Sequence, residues 1–103
     1  MNQKNINLTN RLKLSAQRAL LGVITPNIRA VFVELVENDI QVYFYYDGKI
    51  QEDNEETASI ATSEIIADFY DEFDINLVIK RVDYPMEIIQ PNGICVYYRN
   101  EAQ

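Results

Sequence analysis

The spacing of apolar residues predicts two helices. The first is expected to begin near Asn7 or Thr9, because both are good N-caps. Its apolar residues recur at helical spacing and are Leu12, Ala16, Ala19, Leu20 and Val23. The second helix covers residues 52–71, with an apolar stripe made of Ala58, Ala61, Ile65 and Phe69. Each stripe covers only one side of its helix, so we expect that side to pack on a core and the opposite side to face solvent.

Four segments rich in β-branched and aromatic residues predict β-strands. They cover residues 28–37, 40–47, 75–84 and 94–99. Asn38-Asp39 is expected to form the two-residue turn of a first hairpin, which would pair Val33 with Phe44. Alternation along these strands buries one face of the hairpin. The other face then carries Phe32, Glu34, Tyr43 and Tyr45.

The predicted order of elements is α-β-β-α-β-β, which indicates an α+β protein. Two hairpins and two helices most simply form an antiparallel four-stranded sheet with both helices packed on one face. A chain of 103 residues without repeats or linkers is expected to be a single domain, 1–103. Residues 1–6 are polar and are expected to fray.

The chain shows no signal for export or for a membrane span. It contains no run of about 18 apolar residues, and its first residues lack the apolar centre of a signal peptide. Cys95 is the single cysteine, so no internal disulfide can form. These features predict a cytoplasmic protein.

Charge is unevenly distributed along the chain, whose net charge is −7. Residues 1–29 carry five positive charges and no acid, whereas residues 30–79 carry thirteen acids and a single base, Lys49. Such a protein repels nucleic acid and anionic lipid and attracts basic proteins. We therefore expect a protein partner with a basic surface, and neither nucleic acid nor membrane. The alternative is that the acids only keep the domain soluble.

The residue types that usually perform catalysis are missing or isolated. The chain has no histidine, and its three glycines do not form a phosphate-binding loop. Cys95 lies in an apolar strand without a histidine partner, so it is expected to be buried and unreactive. Acid pairs such as Asp68 with Asp71 lack the loop spacing of a metal site. The sequence therefore predicts a binding protein and not an enzyme, with no cofactor and no metal.

Two surfaces are candidates for binding that partner. One is the acidic surface at the end of the second helix, made of Glu64, Asp68, Asp71 and Glu72. Acids there are not explained by the helix dipole, which favours acids at the other end. The other surface is the aromatic face of the first hairpin, with Phe32, Glu34, Tyr43 and Tyr45. Tyrosines are good contact residues, although they could equally pack against neighbouring strands.

Three segments carry a family resemblance. Residues 18–31 read RALLGVITPNIRAV, residues 42–48 read VYFYYDG, and residues 83–85 read DYP. Over residues 11–99 the chain resembles small bacterial immunity proteins of contact-dependent growth inhibition and polymorphic toxin systems. The resemblance implies a cytoplasmic protein that binds and neutralises a cognate toxin domain, and many such toxins are nucleases. The alternative is a non-catalytic interaction or regulatory module that forms a homodimer through a sheet edge or its tyrosine face.

Overall fold

The computed structural model describes residues 3–101, with side chains from residue 7 onward. These residues form α1 (Gln3–Ala19), β1 (Ile28–Val36), β2 (Asp39–Tyr46), α2 (Glu52–Ala67), β3 (Asp74–Arg81) and β4 (Ile94–Tyr98). The predicted order of elements and the α+β class are confirmed. The fraying expected of residues 1–6 stays a prediction, because residues 1 and 2 and the side chains of residues 3–6 lie outside what the structure describes.

Both helices differ from their predicted limits. The first begins at Gln3 and not near Asn7 or Thr9, since no glycine or proline precedes these residues to stop the helix. The second ends at Ala67, where the backbone N–H of Asp68 caps it by donating to the carbonyl of Ile65 at 3.0 Å.

The sheet is mixed, with the strand order β3-β2-β1-β4. The pair β1–β2 is antiparallel, as predicted, and β1–β4 is also antiparallel, but β2 and β3 run parallel. The prediction of a fully antiparallel sheet is therefore wrong. The predicted second hairpin is also wrong, because β3 and β4 lie at opposite edges of the sheet and do not pair. The chain between β2 and β3 contains α2, and a helical crossover of this kind returns the chain to the same end of the sheet, so that the next strand runs parallel.

The first hairpin turns earlier than predicted. Its turn consists of Glu37 and Asn38, with Glu37 in the left-handed region at a φ of 56°. Val33 therefore pairs with Val42 and not with Phe44. The register is shifted by two residues, and an even shift leaves every side chain on its predicted face.

The main core lies between the helices and one face of the sheet. Leu12 and Ala16 of α1 and Ala61 and Ile65 of α2 are at most 1% exposed and belong to one cluster with the strand residues that face them. Tyr46 is also fully buried in this core, and its hydroxyl donates to the backbone carbonyl of Asn54 at 3.2 Å. Burial raises the pKa of Tyr46 to about 12, so the hydroxyl keeps its proton.

The opposite face of the sheet is half covered. Ile88, in the segment between β3 and β4, is 4% exposed and packs with Ala30, Phe32 and Tyr45. Phe32 and Tyr45 are consequently 1% and 4% exposed, so the exposed aromatic face predicted for them is wrong. The pattern of residues 82–93 has no strand or helix period, which is why this cover could not be read from the sequence.

Candidate partner-binding surface

The uncovered part of this second sheet face is a continuous surface formed by β1, β2 and β3. In the observed register, Glu34 lies opposite Gln41, and Gln41 lies opposite Asn76. We call this surface the open half; strand alternation assigns to it Glu34, Val36, Asp39, Gln41, Tyr43, Asp74, Asn76 and Val78. All eight residues are at least partly exposed, in contrast to Phe32 and Tyr45 on the covered half.

Five exposed acids border the open half, and we call them the acidic rim. They are Glu37, Asp39, Asp71, Glu72 and Asp74. Asp39 and Asp74 begin β2 and β3 and lie opposite each other in the parallel pair. The backbone N–H of Asp74 donates to the carbonyl of Asn38 at 2.9 Å, so the loop carrying Asp71 and Glu72 is held close to the hairpin turn.

The rim acids have no ion-pair partner among the residues whose side chains the structure describes. Among residues 7–101, no lysine or arginine forms an ion pair with any of the five. Like charges opposite each other on neighbouring strands are destabilising. The pairing of Asp39 with Asp74 therefore does not help the fold, and the negative potential of the rim is available to another molecule.

Tyr43 lies in the middle of the open half and is partly exposed. Its hydroxyl donates to Glu34 Oε1 at 3.4 Å. Partial burial and the charge of Glu34 both raise the pKa of Tyr43, so it remains a neutral donor. A partly exposed tyrosine ring beside a carboxylate combines apolar contact area with hydrogen bonding, and tyrosines are enriched at protein interfaces.

Asp68 has a role inside the molecule. It accepts a hydrogen bond from Ser15 Oγ at 2.6 Å and pairs with Arg18, joining the end of α2 to α1. This pairing satisfies an acid at a helix C-terminus, where the helix dipole disfavours it. Of the other predicted acidic residues, Glu64 is exposed on the outer side of α2, and Asp71 and Glu72 belong to the acidic rim.

The structure thus brings together four of the eight sequence-predicted residues, which are Glu34, Tyr43, Asp71 and Glu72. The predicted binding residues did not include Glu37, Asp39 and Asp74, although each flanks a strand end. A prediction of the parallel pairing of β2 with β3 would have placed Asp39 beside Asp74, because each strand begins with one of these aspartates. The partner-binding role of all these residues stays a prediction.

A second charged cluster, which the sequence did not indicate, lies at the opposite end of the sheet. Arg29 donates to both carboxylate oxygens of Glu101, at 2.7 and 2.9 Å, and to the carbonyls of Val82 and Met86, at 2.6 and 2.8 Å. The side chains of Arg29 and Glu101 are only 3% and 8% exposed. This pairing holds the pKa of Glu101 below its usual range.

Arg99 extends this cluster. It donates to Glu101 Oε2 and to Asp47 Oδ2, each at 3.0 Å. We refer to Arg29, Glu101, Arg99 and Asp47 as the ion-pair cluster. Each of its charges has a partner, so the cluster joins the start of β1 to the segments that follow β2, β3 and β4.

Neither surface carries features of an active site. Cys95 is exposed and not buried as predicted, because it lies on the edge strand β4. Partial desolvation raises the pKa of its thiol, which disfavours the reactive thiolate. Within the described residues, no three acids or cysteines are placed to hold a metal ion, and no helix is long and apolar enough to span a membrane.

Comparison with known proteins adds a family to this geometry. A family model described as MafI2 immunity protein matches residues 9–101. No curated protein matches the chain. The family match covers almost the same residues as the predicted resemblance to bacterial immunity proteins of polymorphic toxin systems, and it confirms that resemblance.

Proposed function

This chain belongs to the MafI2 immunity protein family, and we propose that it neutralises a cognate toxin domain by binding to it in the cytoplasm. Family membership makes a protein toxin the partner and indicates a non-catalytic inhibitor. We further propose that the toxin is one delivered by a neighbouring cell in contact-dependent growth inhibition.

The surface we assign to the toxin is the open half with its acidic rim. The observation that carries this assignment is that five exposed acids, none in an ion pair among residues 7–101, lie at the end of an uncovered sheet face that also holds the partly exposed Tyr43. Such a surface suits a partner whose surface is basic, since opposite potentials favour the encounter and oppose other partners.

A nuclease is the toxin class that fits such a surface. The cleft of a nuclease must attract the phosphate backbone of nucleic acid and is therefore positively charged. Carboxylates spread along a sheet end would occupy the positions of phosphates in that cleft. The inhibitor would then act by electrostatic steering towards the active site and by direct occlusion of it.

The test is the affinity of the purified chain for its cognate toxin domain. The rim variant carries Asp71→Asn, Glu72→Gln and Asp74→Asn. The matched control removes the same number of charges at the start of α2, with Glu52→Gln, Glu55→Gln and Glu56→Gln, which are exposed and distant from the rim along the chain. We expect the rim variant to raise Kd by roughly 10- to 100-fold, while the control changes it by less than about threefold.

Two results would contradict different parts of this proposal. If both variants weaken binding equally, net charge and not the rim determines affinity, and the assigned surface is wrong. If the unaltered chain neither binds the toxin nor restores the growth of cells that express it, the proposed function itself is wrong. Circular dichroism of each variant checks that the fold is intact.

A further inference from the structure

The outer surface of the helix layer is divided between opposite charges, and we propose that two copies of the chain pair through this layer. The described basic residues of α1 are Arg11, Lys13 and Arg18, and the helix contains no acid. By contrast, α2 contains no base, and its acids are Glu52, Asp53, Glu55, Glu56 and Glu64. All these side chains are exposed.

Large apolar side chains are also exposed on this layer. Leu14 of α1 is 66% exposed, and Leu21, in the turn that follows the helix, is 77% exposed. Ile60 is 47% exposed in the middle of α2, and Tyr70 just after α2 is 61% exposed. A helix surface that only faces water is usually polar, so these residues indicate a contact surface.

The two halves of the layer lie side by side. Arg18 pairs with Asp68 at the end of α2, and the Arg11 guanidinium carbon lies 5.7 Å from the centre of the Tyr70 ring. A groove of about 460 Å³ runs along α1 beside the end of α2, and its lining is mostly polar, with Leu14 as its apolar residue. This polar groove adds hydrogen-bonding groups to the surface that a second copy would cover.

This arrangement is self-complementary. A two-fold axis between the helices places α1 of one copy over α2 of the other, and the same contact is repeated on the other side of the axis. Basic α1 then faces acidic α2 twice. A nucleic acid would be repelled by α2, and a uniformly basic protein would be repelled by α1. A second copy places an acidic helix opposite α1 and a basic helix opposite α2.

The pairing is independent of the proposed toxin surface. The helices cover one face of the sheet, whereas the open half lies on the other face. A dimer formed through the helices therefore leaves the open half exposed on both copies, and each copy can still bind a toxin domain.

Charge reversal tests the proposal. The first variant carries Arg11→Glu and Lys13→Glu, which makes both helices acidic. The second carries Glu56→Lys and Glu64→Lys, which makes both helices basic. We expect the unaltered chain to sediment as a dimer and each variant to raise the dimer dissociation constant by about tenfold or more. An equimolar mixture of the two variants is expected to form a mixed dimer, because each contact then joins opposite charges.

Three outcomes would overturn the proposal. The first is an unaltered chain that sediments as a monomer at every concentration tested. The second is a dimer that both variants leave intact, which would place the contact on another surface such as a sheet edge. The third is a monomeric unaltered chain whose affinity for the toxin falls in the variants, which would make the toxin the occupant of the helix layer. A rim variant at the hairpin turn, Glu37→Gln with Asp39→Asn, serves as the control and should dimerise like the unaltered chain.

Discussion

At one end of the sheet, where β2 and β3 begin, the five carboxylates of the acidic rim have no ion-pair partner among residues 7–101. At the other end, Asp47 just after β2 and Glu101 after β4 lie in the ion-pair cluster, and each has an arginine partner. The Glu101 side chain in the cluster is 8% exposed and that of Asp47 is 31% exposed, whereas the rim acids are all exposed.

The difference follows from the cost of moving a charge out of water. A buried carboxylate must be paired and hydrogen-bonded, because its desolvation costs several kcal/mol. An exposed carboxylate needs no partner, and repulsion from its neighbours costs little in water. Paired charges such as Arg29 and Glu101 therefore serve the fold, while unpaired ones such as Asp39 and Asp74 can be kept for a partner.

The cluster depends on a local irregularity of β1. A bulge between Ile28 and Ala30 interrupts the pairing of β1 with β2 at Arg29. Regular alternation from Val31 would direct residue 29 into the main core, where no counter-charge is present. Bulges re-aim a side chain, and here Arg29 instead reaches Glu101 and the carbonyls after β3.

The largest expected effect comes from breaking the cluster. The substitution Arg29→Met leaves the Glu101 carboxylate buried with one arginine fewer and frees the carbonyls of Val82 and Met86. We expect the free energy of unfolding to fall by about 3–5 kcal/mol, measured by chemical denaturation. As a matched control, Arg81→Met removes an exposed pair with Asp83, whose side chain is 45% exposed, and should change stability little. Equal losses in the two variants would show that burial does not distinguish these pairs.

A smaller effect is expected from pH. Arg29 lowers the folded pKa of Glu101, and Arg99 lowers that of Asp47. A carboxylate with a lowered folded pKa binds more protons when unfolded, so its stabilisation is present above the unfolded pKa. It is lost as the pH falls through the folded pKa. The free energy of unfolding should therefore decrease from pH 5 downward, and Glu101→Gln should flatten this decrease. An unchanged slope in the variant would assign the acid sensitivity to other groups.

Salt should also distinguish the exposed acidic rim from the ion-pair cluster. Raising the ionic strength from about 0.05 to about 0.5 M shortens the screening length from roughly 14 to 4 Å. Toxin affinity, which we assign to the exposed rim, is expected to fall by roughly tenfold in a titration by calorimetry. The rim variant of Asp71, Glu72 and Asp74 should lose most of this salt dependence. An affinity that does not change with salt would remove the electrostatic basis of the proposed surface.

Much of the fold followed from the sequence because alternation and helical spacing are local signals. The faces of β1 and β2 were predicted correctly even though their register was wrong. The strand partner of Val33 is Val42, two positions from the predicted Phe44, and a shift of two residues keeps every side chain on its face. What could not be predicted depends on contacts between distant residues. Ile88 covers Phe32 from a segment without a period, and Arg29 finds its partner 72 positions further along the chain.

The same limit applies to the candidate surface. Composition indicated that the middle of the chain is acidic, but it did not distinguish an acid with a partner from one without. Asp68 proved to be joined to Ser15 and Arg18, while Asp71 and Glu72, three and four residues later, have no ion pair among the described residues. Only the packing of α1 against α2 separates these cases.

The smallest predicted effect is the most direct test of the rim. Asp39 and Asp74 lie opposite each other on neighbouring strands, where like charges are destabilising by about 0.2–1 kcal/mol. Asp74→Asn removes the repulsion and keeps the size of the side chain, so we expect the free energy of unfolding to rise by about that amount. Toxin affinity should fall in the same variant. If Asp74 destabilises the fold but strengthens toxin binding, its charge serves the interaction with the partner and not the fold. If Asp74→Asn instead lowers stability, the rim has a structural role and the contrast between the two ends of the sheet does not hold.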